Sequence, residues 1–114
     1  MRRGEIWLVN LEPTIGAEIS KTRPAVIVSK DKVGVLRLKV IVPITEWKED
    51  FAERVWMVRL ERNAENGLTK LSGADTFQVR SVSQQRLIQQ LGTLSDTAMQ
   101  EITDALAIVL SIYS

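Results

Sequence analysis

The segment from Gly4 to Ser29 constrains the fold of this chain more than any other part of its sequence. It begins with a mostly apolar run, continues through a polar loop with Pro13 and Gly16 at its bends, and ends in a run rich in β-branched residues. The second run opens with Arg23-Pro24. Proline donates no hydrogen bond to a sheet, so Pro24 belongs at the first, open end of a strand. The segment therefore predicts a strand, a loop and a second strand.

Further strands are predicted by apolar residues that alternate with polar ones. The pattern is clearest from Leu36 to Ile44, and it recurs from Arg54 to Leu60, from Asp75 to Val82 and from Leu87 to Leu91. Alternation with a period of two indicates a strand with one buried face. Five or more short strands of this kind predict a small β-barrel or a curled antiparallel sheet.

The C-terminal part of the chain has the spacing of an amphipathic helix. Ser95-Asp96 offers an N-cap, and a carboxylate there complements the helix dipole. A short turn is also predicted near Ser83 to Arg86, before the last strand. The sequence thus predicts one mostly-β domain over residues 1–114 that is closed by a C-terminal helix. The apolar residues that recur every three or four positions in this helix are Met99, Ile102, Leu106, Val109, Leu110 and Tyr113.

The residue types that are missing exclude several kinds of site. The 114 residues include no cysteine, which excludes thiolate zinc sites and is typical of a reducing, cytoplasmic compartment. They include no histidine, which excludes a paired-histidine nuclease and a Ser-His-Asp hydrolase. No tight carboxylate cluster is evident, so neither a metal ion nor another cofactor is expected. No apolar stretch approaches the roughly 18 residues of a membrane span, so no membrane partner is expected.

The charges are distributed unevenly along the chain. Residues 1–39 hold eight Lys and Arg against four Asp and Glu, whereas residues 40–114 hold seven against ten. One basic surface that faces phosphate groups would explain this asymmetry. Ordinary scatter of surface charge would explain it equally well, so the distribution alone does not identify a nucleic-acid-binding protein.

The N-terminal segment resembles the opening signature of the MazF/PemK toxin family. The resemblance continues through residues 42–45 and 66–82. It implies a small, ribosome-independent endoribonuclease that cuts single-stranded RNA, such as mRNA, at a short sequence. It also implies an SH3-like barrel of five to seven antiparallel strands, a homodimer, and a cognate antitoxin protein that holds the toxin silent. The matching positions of the opening signature are Gly4, Glu5, Ile6, Trp7, Val9, Asn10, Pro13, Gly16, Glu18, Lys21, Arg23, Pro24, Val26, Ile27 and Val28.

Cleavage of RNA through its own 2′-hydroxyl needs a proton acceptor, a group that stabilises negative charge on phosphorus, and a proton donor for the leaving oxygen. Arginine suits the second role because its guanidinium forms two parallel hydrogen bonds to phosphate, and a threonine hydroxyl adds another. The resemblance assigns these catalytic roles to Arg23 and Thr45, and it implies a part in RNA handling and catalysis for Glu18. Glu46 stands where many relatives have serine, and its charge would repel phosphate.

Other residues are candidates for RNA binding. The resemblance places residues 77–82 along the RNA groove, where an amide could read a base edge and a guanidinium could hold a phosphate. A turn at Asn66-Gly67 could bring a lysine toward the same groove. The candidates from the loop, the turn and the groove strand are Lys21, Thr22, Lys70, Gln78 and Arg80.

The three tryptophans are predicted to differ in their surroundings. Trp47 follows Thr45 among charged residues and is predicted to be exposed, where it would stack on an unpaired base. Trp7 and Trp56 lie amid apolar strand residues and are predicted to belong to the core. Trp47 is therefore the tryptophan counted among the RNA-binding candidates.

Each of these residues also has a purely structural interpretation, and two other functions fit the same fold class. An arginine before proline is commonly an exposed strand end, a strand threonine is commonly a β-former, and a loop Glu–Lys pair contributes little energy. A topoisomerase poison of the CcdB type shares the fold class and binds a protein through its terminal helix without cutting anything. A non-catalytic RNA-binding barrel would bind RNA without cutting it. It would therefore leave none of the 2′,3′-cyclic phosphate ends that attack by the 2′-hydroxyl produces. The joint occurrence of Arg23 and Thr45 favours the nuclease.

Overall fold

The computed structural model describes residues 1–32 and 36–112, and within them it contains seven strands, three short 3₁₀ turns and one α-helix. The strands are β1 (Glu5–Asn10), β2 (Thr22–Ile27), β3 (Leu38–Glu46), β4 (Met57–Leu60), β5 (Ser72–Asp75), β6 (Arg80–Ser83) and β7 (Leu87–Thr93). The 3₁₀ turns span Glu49–Glu53, Thr76–Gln78 and Gln84–Arg86, and the helix α1 spans Asp96–Val109.

The strands form one antiparallel sheet in the order β4-β5-β3-β2-β1-β7, with β6 also paired to β3. The long strand β3 connects the two halves of this sheet. Its first six residues pair with β6 or β2, and its last three residues pair with β5. This architecture confirms the predicted mostly-β fold with a C-terminal helix.

The apolar residues form a core on each side of the central strands. Strand β2 contributes to both, because Val26 faces one side while Ala25 and Ile27 face the other. This double burial explains why β2 is apolar from Pro24 to Ile27 instead of alternating. The larger core, between the sheet and α1, includes Ile6, Val26, Val42, Ile44, Val58, Leu60, Met99 and Ile102, and the smaller includes Val9, Leu11, Ala25, Ile27, Ile41, Val82 and Leu87.

Helix α1 begins where the sequence predicts. The Ser95 hydroxyl accepts a hydrogen bond from the Ala98 N–H at 3.1 Å, which satisfies one of the free donors of the first turn. Met99 and Ile102 pack on the sheet, as predicted. Leu110 was expected on the same face, but the helix ends at Val109 and Leu110 is exposed. Tyr113 lies outside the described residues.

The strand predicted from Asp75 to Val82 is wrong as one element. It is interrupted by the 3₁₀ turn Thr76–Gln78, which separates β5 from β6. The Asp75 side chain accepts a hydrogen bond from the Phe77 N–H at 3.2 Å, and the buried Thr76 hydroxyl donates to the Trp56 carbonyl at 2.6 Å. These contacts stabilise a turn that hydrophobic alternation alone does not reveal.

Two other strands begin later than predicted. Strand β3 starts at Leu38, and Leu36 is exposed outside it. Strand β4 starts at Met57, because the preceding residues close the turn after Glu49–Glu53 through backbone bonds from Arg54 to Phe51 and from Met57 to Arg54. The turn predicted near Ser83 to Arg86 is confirmed as the 3₁₀ turn Gln84–Arg86.

The tryptophan predictions are only partly correct. All three side chains are half-buried. Trp7 packs against the smaller core, whereas Trp56 belongs to neither core and instead contacts Phe77 with ring centroids 5.7 Å apart. Trp47 is less exposed than expected, since it contacts Phe51 edge-on and Arg59 lies over its ring. Strand position alone did not distinguish these environments.

Candidate active site and nucleic-acid interface

Arg23 and Thr45 lie just beyond the end of the ladder that joins β2 to β3. The last pair of that ladder is Ala25 with Pro43, and Arg23 and Thr45 each lie two residues further along their own strand. Both side chains are half-buried and line the same cleft, which has a volume of about 330 Å³. The structure thus brings together the two residues that the sequence selected as a catalytic pair.

The Arg23 guanidinium is anchored at one nitrogen and open at the other two. Its Nε donates to the Ser20 carbonyl at 3.0 Å. Among residues 1–32 and 36–112, no acceptor lies within hydrogen-bonding distance of its terminal nitrogens. A guanidinium held in this way can present two parallel N–H donors to a phosphate group.

The opposite wall of this cleft comes from the loop that carries Lys70. The Asn66 side chain is buried and fixes the loop, accepting from the Asn63 and Leu68 N–H groups and donating to the Glu61 carbonyl. Gly67 has a φ of +68°, and a Cβ there would lie 2.0 Å from the Leu91 carbonyl oxygen. The tight turn predicted at Asn66-Gly67 therefore requires glycine.

The charge of Glu46 beside Thr45 is offset by a neighbour. The Lys70 ammonium lies 3.6 Å from the Glu46 carboxylate, and both side chains are more than half exposed. Such an ion pair contributes little to stability because water screens it. It nevertheless reduces the repulsion that Glu46 would exert on a phosphate in the cleft.

A second cleft, of about 380 Å³, holds three other predicted site residues. Glu18, Gln78 and Arg80 line it together with Phe77. Pro43 also lines it, and Pro43 precedes Thr45 by two residues on β3, or about 7 Å along an extended strand. The two clefts are therefore neighbours on the same strand.

Gln78 and Arg80 bind the loop between β1 and β2, and this was not expected. The Gln78 Oε1 atom accepts from the Ile19 N–H at 2.5 Å, and its Nε2 donates to the Ala17 carbonyl at 3.2 Å. The Arg80 Nη1 donates to the Leu11 carbonyl at 3.1 Å. Gln78 thus has its amide engaged, and the predicted reading of a base edge would require these bonds to open.

Arg86 and Glu12 complete this attachment, and sequence reasoning missed both. The Arg86 Nη1 donates to the carbonyls of Asn10 and Glu12, and the Glu12 carboxylate accepts from the Lys21 N–H at 2.6 Å. Lys21 has a φ of +70°, a strained conformation for a residue other than glycine. No local sequence signal marks Arg86, because its partners lie more than 70 residues away.

The remaining predicted residues of the loop are exposed. The Glu18 carboxylate accepts from the Ile15 N–H at 2.6 Å and forms no ion pair with any cation in the part of the chain that the structure describes. Lys21 and Thr22 are exposed next to Arg23. Trp47 is not among the residues that line either cleft, so the structure does not bring it together with the other candidates.

Two carboxyl groups near these elements have shifted pKa values. Burial raises the pKa of Asp75, although hydrogen bonds from Phe77 and Gln78 act in the opposite direction. Burial also disfavours the ionised form of Glu5, but hydrogen bonds from the Trp7 indole and the Arg2 N–H, together with the N-terminal ammonium, outweigh it, and the pKa of Glu5 lies below its ordinary value. Neither residue was among the predicted site residues.

Two kinds of feature are absent from residues 1–32 and 36–112. No helix there is long and apolar enough to cross a membrane. No three Asp or Glu side chains within the same ranges gather closely enough to hold a metal ion.

Comparisons with known proteins agree with one another. The chain is 32% identical over 120 residues to the endoribonuclease MazF9 of Mycobacterium tuberculosis, which covers all of this chain and 99% of that protein. It is also 32% identical over 114 residues to the endoribonuclease MazF of Staphylococcus saprophyticus, which covers all of this chain and 94% of the relative.

Solved structures show the same fold at lower identity. The crystal structure of MazF from Deinococcus radiodurans superposes with a TM-score of 0.79 over 97% of this chain and 96% of the other, at 23% identity. An endoribonuclease solved in complex with its cognate antitoxin, from a mycobacterial species, superposes with a TM-score of 0.78 over 100% and 98% of the two chains, at 18% identity. The family model for PemK-like, MazF-like toxins matches residues 2–110. The chain therefore belongs to the family of PemK-like, MazF-like toxins of type II toxin–antitoxin systems.

Proposed function

We propose that this chain is a sequence-specific, ribosome-independent endoribonuclease toxin that cuts single-stranded RNA without a metal ion. The observation that carries the proposal is the cleft that Arg23 and Thr45 both line, with two Arg23 nitrogens open. The relatives that are 32% identical over the whole chain are named endoribonucleases, which supports the same activity. The substrate would be mRNA in the cytoplasm.

In this proposal the 2′-oxygen of the RNA attacks the adjacent phosphorus. A bond forms between O2′ and phosphorus while the bond from phosphorus to O5′ breaks, which leaves a 2′,3′-cyclic phosphate and a 5′-hydroxyl. Arg23 donates two hydrogen bonds to the non-bridging oxygens as negative charge grows there, and the Thr45 hydroxyl donates a third. The leaving O5′ takes its proton from water in the open cleft.

Glu18 is the acceptor of the proton that leaves the 2′-hydroxyl. Two carboxylates line the clefts, and Glu46 is paired with Lys70 whereas Glu18 has no cationic partner in the described residues. An acceptor that is not already neutralised by a cation is the better base. The Ile15 N–H holds the Glu18 carboxylate in position without neutralising it.

RNA would approach through contacts that flank the cleft. Lys21, Thr22 and Lys70 supply exposed donors around Arg23. Arg80 would contact RNA with the nitrogens that its bond to the Leu11 carbonyl leaves open, and Gln78 would act by holding the loop that carries Glu18. A cognate antitoxin would silence the toxin by occupying the same surface, and the relative solved with its antitoxin supports such a partner. The toxin would act as a homodimer.

The test is a cleavage map followed by analysis of the ends. Purified protein is incubated with a long single-stranded RNA in excess EDTA, and the cuts are located by primer extension. We expect cuts at one short sequence and 3′ ends that carry a cyclic phosphate. An oligonucleotide with a 2′-deoxy residue at the mapped position should resist cleavage.

Three results would contradict the proposal. Loss of cutting in EDTA would indicate a metal-dependent reaction. Cleavage of the 2′-deoxy oligonucleotide would exclude attack by the 2′-oxygen. Binding of RNA with no cutting under any condition would identify a non-catalytic RNA-binding barrel instead.

A further inference from the structure

Phe77 is an exposed aromatic residue at the mouth of the second cleft, and we propose that it stacks on an unpaired base of the RNA substrate. The cleft would then be a base-binding subsite beside the reacting phosphate. This inference rests on the proposed function and adds a residue that the sequence did not select for stacking.

The Phe77 ring is exposed and yet held in place. It is 67% exposed, which is unusual for a phenylalanine outside an interface. Trp56 contacts it at a ring-centroid distance of 5.7 Å and an interplanar angle of 62°. The guanidinium carbon of Arg54 lies 5.9 Å from the centroid of the Trp56 ring and adds a cation–π contact behind the pair.

The backbone that carries Phe77 is fixed as well. The Asp75 carboxylate accepts from the Phe77 N–H, and the fully buried Thr76 bonds to the Trp56 carbonyl through both its N–H and its hydroxyl. The ring therefore projects from a turn that is attached at both sides. A rigid aromatic group loses little conformational entropy when a flat ligand stacks on it.

The cleft beside Phe77 matches the chemistry of a nucleobase. Its walls include the apolar side chains of Ile19, Pro43 and Val79. Its available polar group is Arg80, whose Nη1 donates to the Leu11 carbonyl while its other two nitrogens form no hydrogen bond within the described residues. A base offers a flat apolar face and a hydrogen-bonding edge, which these two kinds of wall complement. The volume of about 380 Å³ lies in the range of small-ligand sites.

The position of the cleft explains why the occupant would be RNA. Pro43 belongs to this cleft, and Thr45 of the proposed catalytic cleft lies two residues further along the same strand. A phosphate at Arg23 and Thr45 therefore places its neighbouring nucleotide within reach of Phe77. Stacking on an aromatic ring is tolerant of sequence, so the open nitrogens of Arg80 would supply the selectivity.

The experiment uses an oligonucleotide that spans the mapped cut site and has a 2′-deoxy residue at the scissile position, so that binding is measured without cleavage. We expect Phe77→Ala to weaken binding by roughly 5- to 150-fold, the range found for loss of one stacked base. Phe77→Trp should bind within about threefold of the original protein, since it keeps the aromatic face. Phe77→Leu should bind the oligonucleotide as weakly as Phe77→Ala does, because leucine is apolar but has no aromatic face. Ile88→Ala, which removes another exposed apolar side chain, is the matched control.

A second set of substrates identifies the contacted base. Each position near the cut is replaced in turn by an abasic nucleotide. One replacement should weaken binding to the original protein and have no further effect on Phe77→Ala, as expected for two partners in one contact. All variants are compared by circular dichroism and sedimentation at the same concentration.

Specific results would overturn the inference. Equal binding by Phe77→Ala and the original protein would show that Phe77 does not stack on a base. The nuclease assignment would stand in that case, provided that the original protein still cuts RNA. Additive losses at every abasic position would show that no base contacts Phe77. A change from dimer to monomer in Phe77→Ala alone would assign the ring to an interface between copies of the chain.

Discussion

At the scale of single residues, Arg23 differs from the other cations of the two clefts in which of its donors are occupied. Arg80 donates to the Leu11 carbonyl, and Lys70 is paired with Glu46. Arg23 uses only its Nε, toward the Ser20 carbonyl. It is thus the best placed of the three to receive a phosphate with two parallel bonds.

We expect Arg23→Lys to be nearly as inactive as Arg23→Ala. Lysine keeps the charge, but it loses both the bond to Ser20 and the two-pronged geometry on phosphate. The rate of single-turnover cleavage should fall on the order of 10²-fold or more in both variants, the scale for losing one donor aimed at developing charge. Arg62→Lys provides the control, since Arg62 is exposed and lines neither cleft. A near-normal rate in folded Arg23→Lys would show that the residue contributes only a diffuse positive field.

The shifted carboxyl groups predict opposite pH dependences of stability. The raised pKa of Asp75 means that its ionised form destabilises the folded state, so stability is lost as pH rises through its titration and regained below it. The lowered pKa of Glu5 means that its ionised form stabilises the folded state, and this contribution is lost as pH falls through its titration. Urea unfolding between pH 3 and 7 measures both.

Relative to the original protein, Asp75→Asn should gain stability as pH rises, and Glu5→Gln should lose it. The comparison within each variant matters more than its absolute stability, because both substitutions also alter hydrogen bonds. Parallel pH profiles for the two variants would contradict the assignment of opposite shifts.

At the scale of elements, the parts that could be predicted from sequence are those stabilised by their own neighbours. Strand β2 follows from Pro24 and a β-branched run, and helix α1 follows from its Ser95 cap and apolar spacing. The break between β5 and β6 could not be predicted, because Thr76 bonds to Trp56, which lies 20 residues away. The local pattern of apolar and polar residues does not indicate such a long-range contact.

The candidate site divides in the same way. Arg23 and Thr45 follow from a spaced motif on two paired strands, and the fold places both in one cleft. The roles of Gln78 and Arg80 could not be predicted, because their loop partners are 59 to 69 residues distant and the same side chains would suit RNA equally well. What the structure adds is a clamp, formed by Gln78, Arg80 and Arg86, on the loop of residues 11–21.

We expect loss of this clamp to free the loop. In Gln78→Ala the Ile19 N–H and the Ala17 carbonyl lose their partners, so hydrogen exchange at the Ile19 amide should become faster while exchange in β2 stays unchanged. If Glu18 must be held near the reacting group, the rate of the chemical step should fall more than RNA affinity does. Gln85→Ala is the matched control, since Gln85 is an exposed glutamine in the neighbouring turn. Unchanged exchange at Ile19 would show that the loop is held by its other contacts.

At the scale of the whole molecule, the chain exposes more surface than a compact monomer of its mass. Its accessible surface is 7286 Å², whereas a monomer of 12.8 kDa is expected to expose about 6,300 Å². Elongation does not explain the difference, because the radius of gyration of 13.2 Å is the value expected for a compact chain of this length. The exposed apolar side chains include Leu36, Leu38, Val55, Phe77, Ile88, Ile108, Leu110 and Ile112.

We therefore expect a homodimer at micromolar concentration. The surplus of roughly 1,000 Å² is comparable to the area that each partner buries in a standard interface, about 800 Å². Sedimentation equilibrium measures the mass, and a dilution series measures activity at the same concentrations. A monomer with full nuclease activity would contradict this prediction.

We expect a cognate antitoxin and RNA to compete for the same two clefts. Both clefts are lined by cations that would bind an acidic antitoxin segment as readily as a phosphate chain, namely Arg23, Lys70 and Arg80. A flexible acidic segment that orders on binding would cover Arg23 and displace the loop of residues 11–21 from its clamp. Binding of a labelled non-cleavable RNA should then fall as antitoxin is added, and both affinities should fall as salt rises, since each depends on charge. If RNA affinity stayed unchanged at saturating antitoxin, the antitoxin would have to act at another surface, and these clefts would lose their assignment as the shared site.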